Sequence, residues 1–373
     1  MRRYCEMRGE QEVSDLAAGS DFREPRYRRE VFLRFYEFHL RYRAHPGCVY
    51  YLIPYLADRF GWDLEQKLWF AYVNGCTQNP VTSLAIVETF PDLRALDLRA
   101  LESWFRENYV RLAFDTDRRY HKKFFVECAA KYKRLTCGHQ AAFFDAAAGA
   151  DARVTFRNLW VLCNQEYDYF GRLSVFSYLE YLRIVGIEVE CDRLFLEDIH
   201  GSKSHRNGLC KVLGRDDLDW HDSNPGFDGR YPPELLRWLE REGAALLDEA
   251  RTRFRGRDFE RDVGYFTLES ALCTYKSWHR PNRRYANVYN DMLVERIRVG
   301  KRALGRSLDV FWDARRARLP KHLRLEDNPA DPGLCPKKQN HYRTTGQVIM
   351  MDREWPCFQN DFNDAVRKAQ GEA

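Results

Sequence analysis

The chain has 373 residues, enough for one large domain or two modest ones, and its content of apolar (45%) and aromatic (14%) residues excludes an intrinsically disordered protein. No run approaches the roughly 18 apolar residues of a membrane helix, and the basic start is not followed by the apolar stretch of a signal peptide. The net charge is only +5. We therefore expect a cytoplasmic protein with no membrane partner.

The predicted elements are almost all helices. Residues 1–28 are polar and aperiodic and predict a flexible N-terminal arm. From Glu30 onward, apolar residues recur at spacings of three and four, the period of a helix that buries one face. The segments with this period or with a capping residue ahead of it are 30–44, 50–60, 64–75, 82–90, 97–110, 117–134, 154–165, 173–185, 232–253, 263–278 and 286–303. The sequence thus predicts a mainly α fold with a helical core over 29–310 and an extended C-terminal segment over 311–373.

Cofactor and metal motifs are missing from the sequence. There is no GxxxxGK[ST] phosphate loop, no GxGxxG, no HExxH and no HxE…PCxxC. The eleven cysteines are scattered, and no two are separated by two residues as in zinc and redox pairs. We therefore predict no cofactor, no metal, and cysteines that are reduced and mostly buried.

Basic residues concentrate toward the C-terminal end of the predicted core. Residues 270–325 contain fourteen Lys/Arg and four Asp/Glu, with aromatic residues between them. This pattern is typical of a surface that contacts a phosphate backbone. A solvated basic helix face would give the same composition, so charge alone leaves both interpretations open.

Two loop segments carry residues suited to nucleic acid contacts. In residues 74–80, the amides of Asn74, Gln78 and Asn79 have the groups that bind a base edge, although a helix C-cap and an Asx turn need the same residues. In residues 201–209, a glycine turn opens a helix that carries Lys203, Arg206 and Asn207. A helix N-terminus with added cations suits a phosphate, and an ordinary loop is the alternative.

Two further segments hold carboxylates near cations. Asp217 lies among three carboxylates in residues 216–219, where a neighbouring cation favours the ionised form that a general base needs, although solvated acids of a capping turn are the alternative. Glu269 and Lys276 share a helix face, and Arg283 and Arg284 follow. A carboxylate facing a line of cations fits chemistry on an anionic substrate, with a surface ion pair as the alternative.

Several short segments, in their order along the chain, resemble the alpha-glutamyl/putrescinyl thymine pyrophosphorylases, the amino acid:DNA transferases of phage thymine-hypermodification pathways. The segments are EFHL (37–40), YYLIP (50–54), KLWF (67–70), NGCTQNP (74–80), RNGLC (206–210) and ALCTYK (271–276). The resemblance covers roughly residues 30–310. It implies a helical core related to the helix-hairpin-helix DNA glycosylases, with residues 194–209 as the hairpin, although its usual glycine spacing is absent. It also implies location in the host cytoplasm.

The resemblance implies a substrate and partners as well. These are double-stranded DNA in which an upstream kinase has phosphorylated or pyrophosphorylated 5-hydroxymethyluracil, and a free amino acid or polyamine whose amine replaces the leaving group. The target base would be flipped out of the duplex. A helix-hairpin-helix DNA glycosylase and a non-catalytic DNA-binding scaffold are the rival functions.

Roles for the candidate residues follow from this expected reaction. Glu269 or Asp217 would take the proton of the amine. Arg172 would bind the carboxylate of the amino acid, with an ion pair at a helix start as the alternative. The remaining roles are stabilisation of the departing phosphate by Lys276, Arg283, Arg284 and Arg206, contact with DNA phosphates by Lys203, Arg206 and Asn207, and reading of the base by Asn74, Gln78 and Asn79.

Overall fold

The computed structural model describes residues 25–43, 48–115, 118–220, 227–279 and 288–319. Across those ranges the regular structure consists of α-helices and short 3-10 turns, with no strand. The prediction of a mainly α protein is therefore confirmed. The α-helices are α1 Pro25–Tyr42, α2 Val49–Phe60, α3 Leu64–Thr77, α4 Pro80–Thr89, α5 Leu98–Asn108, α6 Arg119–Lys123, α7 Phe125–Thr136, α8 Gln140–Ala147, α9 Ala152–Glu166, α10 Arg172–Val185, α11 Lys203–Val212, α12 Pro233–Arg253, α13 Tyr265–Tyr275, α14 Val288–Leu304 and α15 Asp309–Arg318.

The chain divides into two compact units. The first contains Met1–Pro46, Arg193–Met292 and Leu319–Ala373, and the second contains Gly47–Asp192 and Leu293–Arg318. Most of the predicted N-terminal arm and of the predicted C-terminal segment lies outside the described residues. None of the described helices combines the length and the apolar character that crossing a membrane requires.

The first unit is built around the packing of α11 against α13, with α1 lying on both. Aromatic rings fill the contact between α1 and α13. The Tyr275 ring lies 5.2 Å from the Phe32 ring and 6.1 Å from the Phe35 ring. All three side chains are almost completely buried, so this cluster of rings anchors α13 from one side.

The second unit is built around α3, which packs against α4 and α10. Its core is aromatic, and the Tyr72 and Tyr132 rings stack in parallel with centroids 3.7 Å apart. Gly75 lies where α3 meets Phe170 and Tyr178, and a Cβ there would lie 3.4 Å from both side chains. The end of α3 is therefore held against α10.

Capping residues explain why α3 and α4 begin where they do. The Asp63 side chain accepts from the Gln66 backbone N–H, and the Gln66 side chain accepts in return from the Asp63 N–H, which is a capping box. Asn79 caps α4 by accepting from the Thr82 N–H, and Pro80 occupies the first turn, where its missing N–H costs nothing. The predicted start of α3 is confirmed, and α4 begins two residues earlier than predicted.

Two helices were not predicted, and α11 is preceded by turns. α8 went unpredicted, and α15 extends the helical structure eight residues into the segment predicted to be extended. α15 packs against α2 and buries Arg315 completely, and a buried arginine interrupts the apolar pattern that identifies a helix. Residues 194–202, within the segment that the resemblance implies to be a hairpin, contain turns, and α11 begins only at Lys203.

Candidate functional site

In the first unit, α11 and α13 touch at the backbone. A Cβ at Gly208 would overlap the backbone carbonyl oxygen of Leu272, so only glycine allows this approach. Side chains one turn earlier on α11 therefore meet α13 directly. One such contact is a hydrogen bond from the Cys273 thiol to the Ser204 hydroxyl, at 3.1 Å.

A second contact between these helices is the buried pair of His205 and Glu269. Nδ1 of His205 lies 2.9 Å from Oε1 of Glu269, and the two side chains are 0% and 10% exposed. Nε2 lies 2.8 Å from the Leu194 carbonyl oxygen, which only accepts, so Nε2 carries a hydrogen. Glu269 is the more exposed member of the pair.

Glu240, on α12, fixes the backbone that His205 contacts. Its carboxylate accepts from the backbone N–H groups of Leu194 at 3.3 Å and Leu196 at 2.8 Å. Burial raises the pKa of Glu240 above its usual value. The Leu194 backbone is thus held by Glu240 at its N–H and contacts His205 at its carbonyl oxygen. Because the carbonyl oxygen is fixed, the orientation of the His205 imidazole is fixed as well.

Arg206, predicted to bind phosphate, is completely buried and bonded to the protein itself. Its guanidinium donates to the carbonyl oxygens of Leu196 at 3.3 Å and Ile199 at 2.7 Å, and to the Ser202 hydroxyl. The guanidinium also lies 4.2 Å from the centre of the Tyr231 ring. Its donors shape the turn before α11.

Asn207 and Lys203 both contact Trp220. The Asn207 amide donates to the Trp220 carbonyl oxygen at 2.9 Å and accepts from the Trp220 N–H at 3.1 Å. This reciprocal pair engages both polar atoms of a buried side chain. Lys203 places its ammonium 4.3 Å from the centre of the Trp220 ring. Of the three residues predicted to bind DNA phosphates in this segment, only Lys203 is not fully buried.

The other predicted residues of this unit are spread over separate positions. Asp217 is 61% exposed and pairs with Arg215 at 2.6 Å, and this guanidinium lowers the pKa of the Asp217 carboxyl. Lys276 is half-buried in the 3-10 turn that follows α13. Arg283 and Arg284 lie outside the described residues. The structure therefore pairs Glu269 with a histidine and Asp217 with a surface arginine.

In the second unit, residues 74–80 form the junction between α3 and α4. Asn74 accepts from the Ser83 hydroxyl at 3.1 Å, and Asn79 caps α4. Both are buried. Gln78 has a left-handed backbone with φ of +47°, is half-buried, and donates through its amide to the Ser177 hydroxyl at 3.1 Å. Residues 74–80 therefore form a helix cap, which was the alternative interpretation of this segment, and they also bring three amide side chains together.

Charged residues that the sequence did not single out surround this junction. The Asp115 carboxylate accepts from the Asn79 amide at 3.4 Å and forms an ion pair with Arg296. The buried Arg118 guanidinium donates to the Ser174 hydroxyl on α10. These residues lie far from residues 74–80 in the sequence, so no local spacing pointed to them. Arg172, predicted to bind a carboxylate, begins α10 and lies 5.7 Å from the Phe176 ring centre.

Comparison with known proteins places these elements in one family. A family model for amino acid:DNA transferases matches residues 50–284, which include the 74–80 junction, α11 and α13. A serinyltransferase of Salmonella phage ViI is 27% identical over 295 residues, which cover 76% of this chain and 71% of the relative. No solved structure matches the chain significantly. Because the family model covers more than half of its length, the chain belongs to the amino acid:DNA transferase family.

Proposed function

We propose that this transferase joins the amine of an amino acid to the 5-methylene carbon of phosphorylated or pyrophosphorylated 5-hydroxymethyluracil in DNA. Membership of the amino acid:DNA transferase family supports both the donor class and the acceptor polymer. The observation that carries the proposal is the buried pair of His205 and Glu269. A free amino acid carries an ammonium group at neutral pH, and this group must lose a proton before it can attack carbon.

We propose serine as the donor, because the relative from Salmonella phage ViI is named a serinyltransferase. Glutamate and putrescine are the donors to which the resemblance in the sequence points, and they are the competitors in the assay below. A kinase that phosphorylates 5-hydroxymethyluracil would have to act before this enzyme, since a free hydroxyl is a poor leaving group.

In the proposed reaction, the lone pair of the neutral amine forms a C–N bond to the methylene carbon. The C–O bond to the phosphate or pyrophosphate breaks, and its electron pair stays on the departing oxygen. Negative charge therefore grows on the leaving group in the transition state, where nearby cations stabilise it. The reaction consumes one amine and releases one phosphate or pyrophosphate and one proton.

We assign the proton transfer to Glu269. In the proposal, the Glu269 carboxylate accepts the proton of the ammonium and later releases it to solvent. His205 acts as a positioning residue, because its ring is fixed by the Leu194 carbonyl oxygen and in turn fixes the carboxylate. Asp217 is excluded from this role in the proposal, because it is exposed and pairs with Arg215 at the surface, which lowers its pKa.

Some of the cations keep the roles that the sequence analysis gave them. Lys276, Arg283 and Arg284 are proposed to stabilise the leaving group, and Lys203 to contact the DNA backbone. Arg206 and Asn207 are proposed to shape the turn before α11, since their polar groups bond to the protein.

Gln78 is the amide proposed to contact a DNA base, because Asn74 and Asn79 are buried in the helix junction. Base flipping remains part of the proposal, since the methylene carbon of a stacked base is hard to reach. Arg172 is proposed to bind the amino acid carboxylate, for which a guanidinium provides two parallel donors.

A mass measurement tests the proposed function. The protein is incubated with duplex DNA that contains pyrophosphorylated 5-hydroxymethyluracil and with serine, glutamate and putrescine in equal amounts, and the DNA is then digested to nucleosides. A new nucleoside heavier than 5-hydroxymethyldeoxyuridine by serine minus water, with pyrophosphate released, is expected. Free base with abasic sites would establish a glycosylase instead, and unchanged nucleosides would indicate a binding scaffold. Either result would contradict the proposal.

A further inference from the structure

The second unit has a group of aromatic rings and lysines at its surface that the proposed chemistry does not use. We call it the Tyr120 face. Its members are Tyr109, Tyr120, Lys122, Lys123, Phe124 and Tyr169.

Three rings of the Tyr120 face are nearly parallel. The Tyr169 ring stacks on the Phe124 ring with centroids 4.9 Å apart and on the Tyr120 ring with centroids 6.1 Å apart, at interplanar angles of 10° and 11°. Tyr120 is 52% exposed and Tyr169 is 47% exposed. Aromatic rings supply much of the buried apolar surface in proteins, so two half-exposed tyrosines in one stack place an unusual amount of apolar surface within reach of a ligand.

Positive charge surrounds these rings. Residues 118–134 contain seven Lys/Arg and one Asp/Glu. The Lys122 ammonium lies 4.5 Å from the centre of the Tyr109 ring, and the Lys123 ammonium lies 4.8 Å from that of Phe124. Neither lysine pairs with a carboxylate of the described residues, whereas nearby Asp168 is neutralised by Lys131 at 2.9 Å. Glu127 is the one exposed acid in the segment.

The base of the face is rigid. The buried His121 ring lies 5.1 Å from the Phe170 ring, which in turn packs on Gly75 of α3. Tyr169 has a left-handed backbone, with φ of +63°. Such a conformation is costly for a residue other than glycine and persists only where the surrounding packing enforces it. The stack of rings is therefore organised before any ligand binds.

We propose that the Tyr120 face binds DNA, with an unpaired base stacked on its tyrosines and the flanking phosphates on Lys122 and Lys123. Parallel rings bordered by cations complement a nucleic acid strand, since each base offers a flat π surface and each phosphodiester group carries a negative charge. An acidic protein would match the lysines but leave the rings without a counterpart. The inference deepens the proposed function, in which DNA is the acceptor.

The test is fluorescence anisotropy with a labelled duplex that carries one unpaired thymidine, without amino acid or modified base. The double variant Tyr120→Ala, Tyr169→Ala is expected to bind this DNA about tenfold more weakly or worse. The double variant Lys122→Gln, Lys123→Gln should reduce the slope of log K against log salt by about 0.9 for each phosphate that the variant no longer binds. Because neither lysine is fully buried, this second variant keeps the test valid if the tyrosine variant does not fold.

Matched controls come from the same unit. Phe60 is 42% exposed and stacks on Trp62 with centroids 5.7 Å apart, but it lies in a segment without excess positive charge. Phe60→Ala, and Arg99→Gln at an exposed position of α5, should leave the affinity for DNA unchanged. Equal losses in the controls, unchanged affinity in both test variants, or no DNA binding by the wild type would overturn the inference. Displacement of the DNA by poly-glutamate at equal charge concentration would assign the face to an acidic protein and would also overturn it.

The outcome of this binding test can be distinguished from the outcome of the mass assay that tests the proposed function. DNA binding that depends on the face, without any transfer to modified DNA, would contradict the proposed function alone. Transfer by a tyrosine variant whose DNA affinity is unchanged would contradict this inference alone.

Discussion

Two segments of similar composition enclose their cations to different degrees. Residues 203–208 of α11 (KSHRNG) and residues 118–124 around α6 (RRYHKKF) both mix Lys, Arg and His in a short stretch. In the first, Arg206 is completely buried and donates to backbone carbonyl oxygens. In the second, Arg118 is also buried and donates to the Ser174 hydroxyl, but Lys123 and Tyr120 are exposed. A cluster of cations therefore indicates a ligand-binding site only where its side chains are exposed and are not already bonded to groups of the protein.

The difference arises from what each helix packs against. α11 lies against α13 at a glycine contact, which brings its side chains into the interior of the first unit. α6 has only five residues and directs His121 inward while Tyr120 and Lys123 face solvent. The following predictions test this contrast between the enclosed side chains of α11 and the more exposed residues around α6.

Gly208→Ala should have the largest effect. The added Cβ would overlap the Leu272 carbonyl oxygen, and because this is backbone, relief requires α11 and α13 to separate. We expect a loss of stability of about 3 kcal/mol or more, at the upper end for overpacking, measured by urea unfolding. Gly171→Ala is the control, since nothing lies within 4 Å of a Cβ there. Equal stability of the two variants would contradict a backbone contact between the helices.

Arg206→Ala should come next. The substitution leaves the carbonyl oxygens of Leu196 and Ile199 without their buried donor, so we expect a loss of about 3 kcal/mol in the free energy of unfolding. Arg230→Ala, at a side chain 89% exposed, should cost almost nothing. If Arg206→Ala instead keeps full stability and reduces the salt dependence of DNA binding, Arg206 binds phosphate after all.

The acid sensitivity of the second unit should depend on His121. Burial lowers the pKa of His121 to about 4 from 6.5, so the unfolded chain takes up this proton first as the pH falls. Stability present above pH 6.5 is then lost between pH 6.5 and 4, by about 3 kcal/mol. His121→Phe should flatten that part of the stability profile, measured by urea unfolding at several pH values, whereas His139→Phe at an exposed position should not. A profile unchanged by His121→Phe would show that the imidazole is not buried in its neutral form.

Asp217→Asn should have the smallest effect. The carboxylate pairs with Arg215 at the surface, and such pairs contribute about 0–1 kcal/mol. We expect unchanged stability and an unchanged rate of transfer in the mass assay. A rate that falls with stability intact would return Asp217 to the role of general base.

Local patterns in the sequence were sufficient to predict most helices, but they were insufficient to predict which residues meet at the candidate site. The start of α3 after a capping residue and the apolar period of α10 are encoded within a few residues, and both were predicted. The partner of Glu269 was not, because His205 lies 64 positions earlier and meets it only through the contact at Gly208. The burial of Arg206 and Arg315 was missed for the same reason, since a charged residue carries no local sign that tertiary packing will enclose it.

The central claim, that Glu269 accepts the proton of the attacking amine, is tested most directly by single-turnover transfer with Glu269→Gln across a range of pH. Glutamine keeps the size and an oxygen near His205 but is not basic. We expect the rate near neutral pH to fall about a hundredfold or more, with unchanged DNA affinity, and the deficit to shrink as rising pH supplies amine that is already neutral. A rate within threefold of the wild type, or a deficit independent of pH, would contradict the claim.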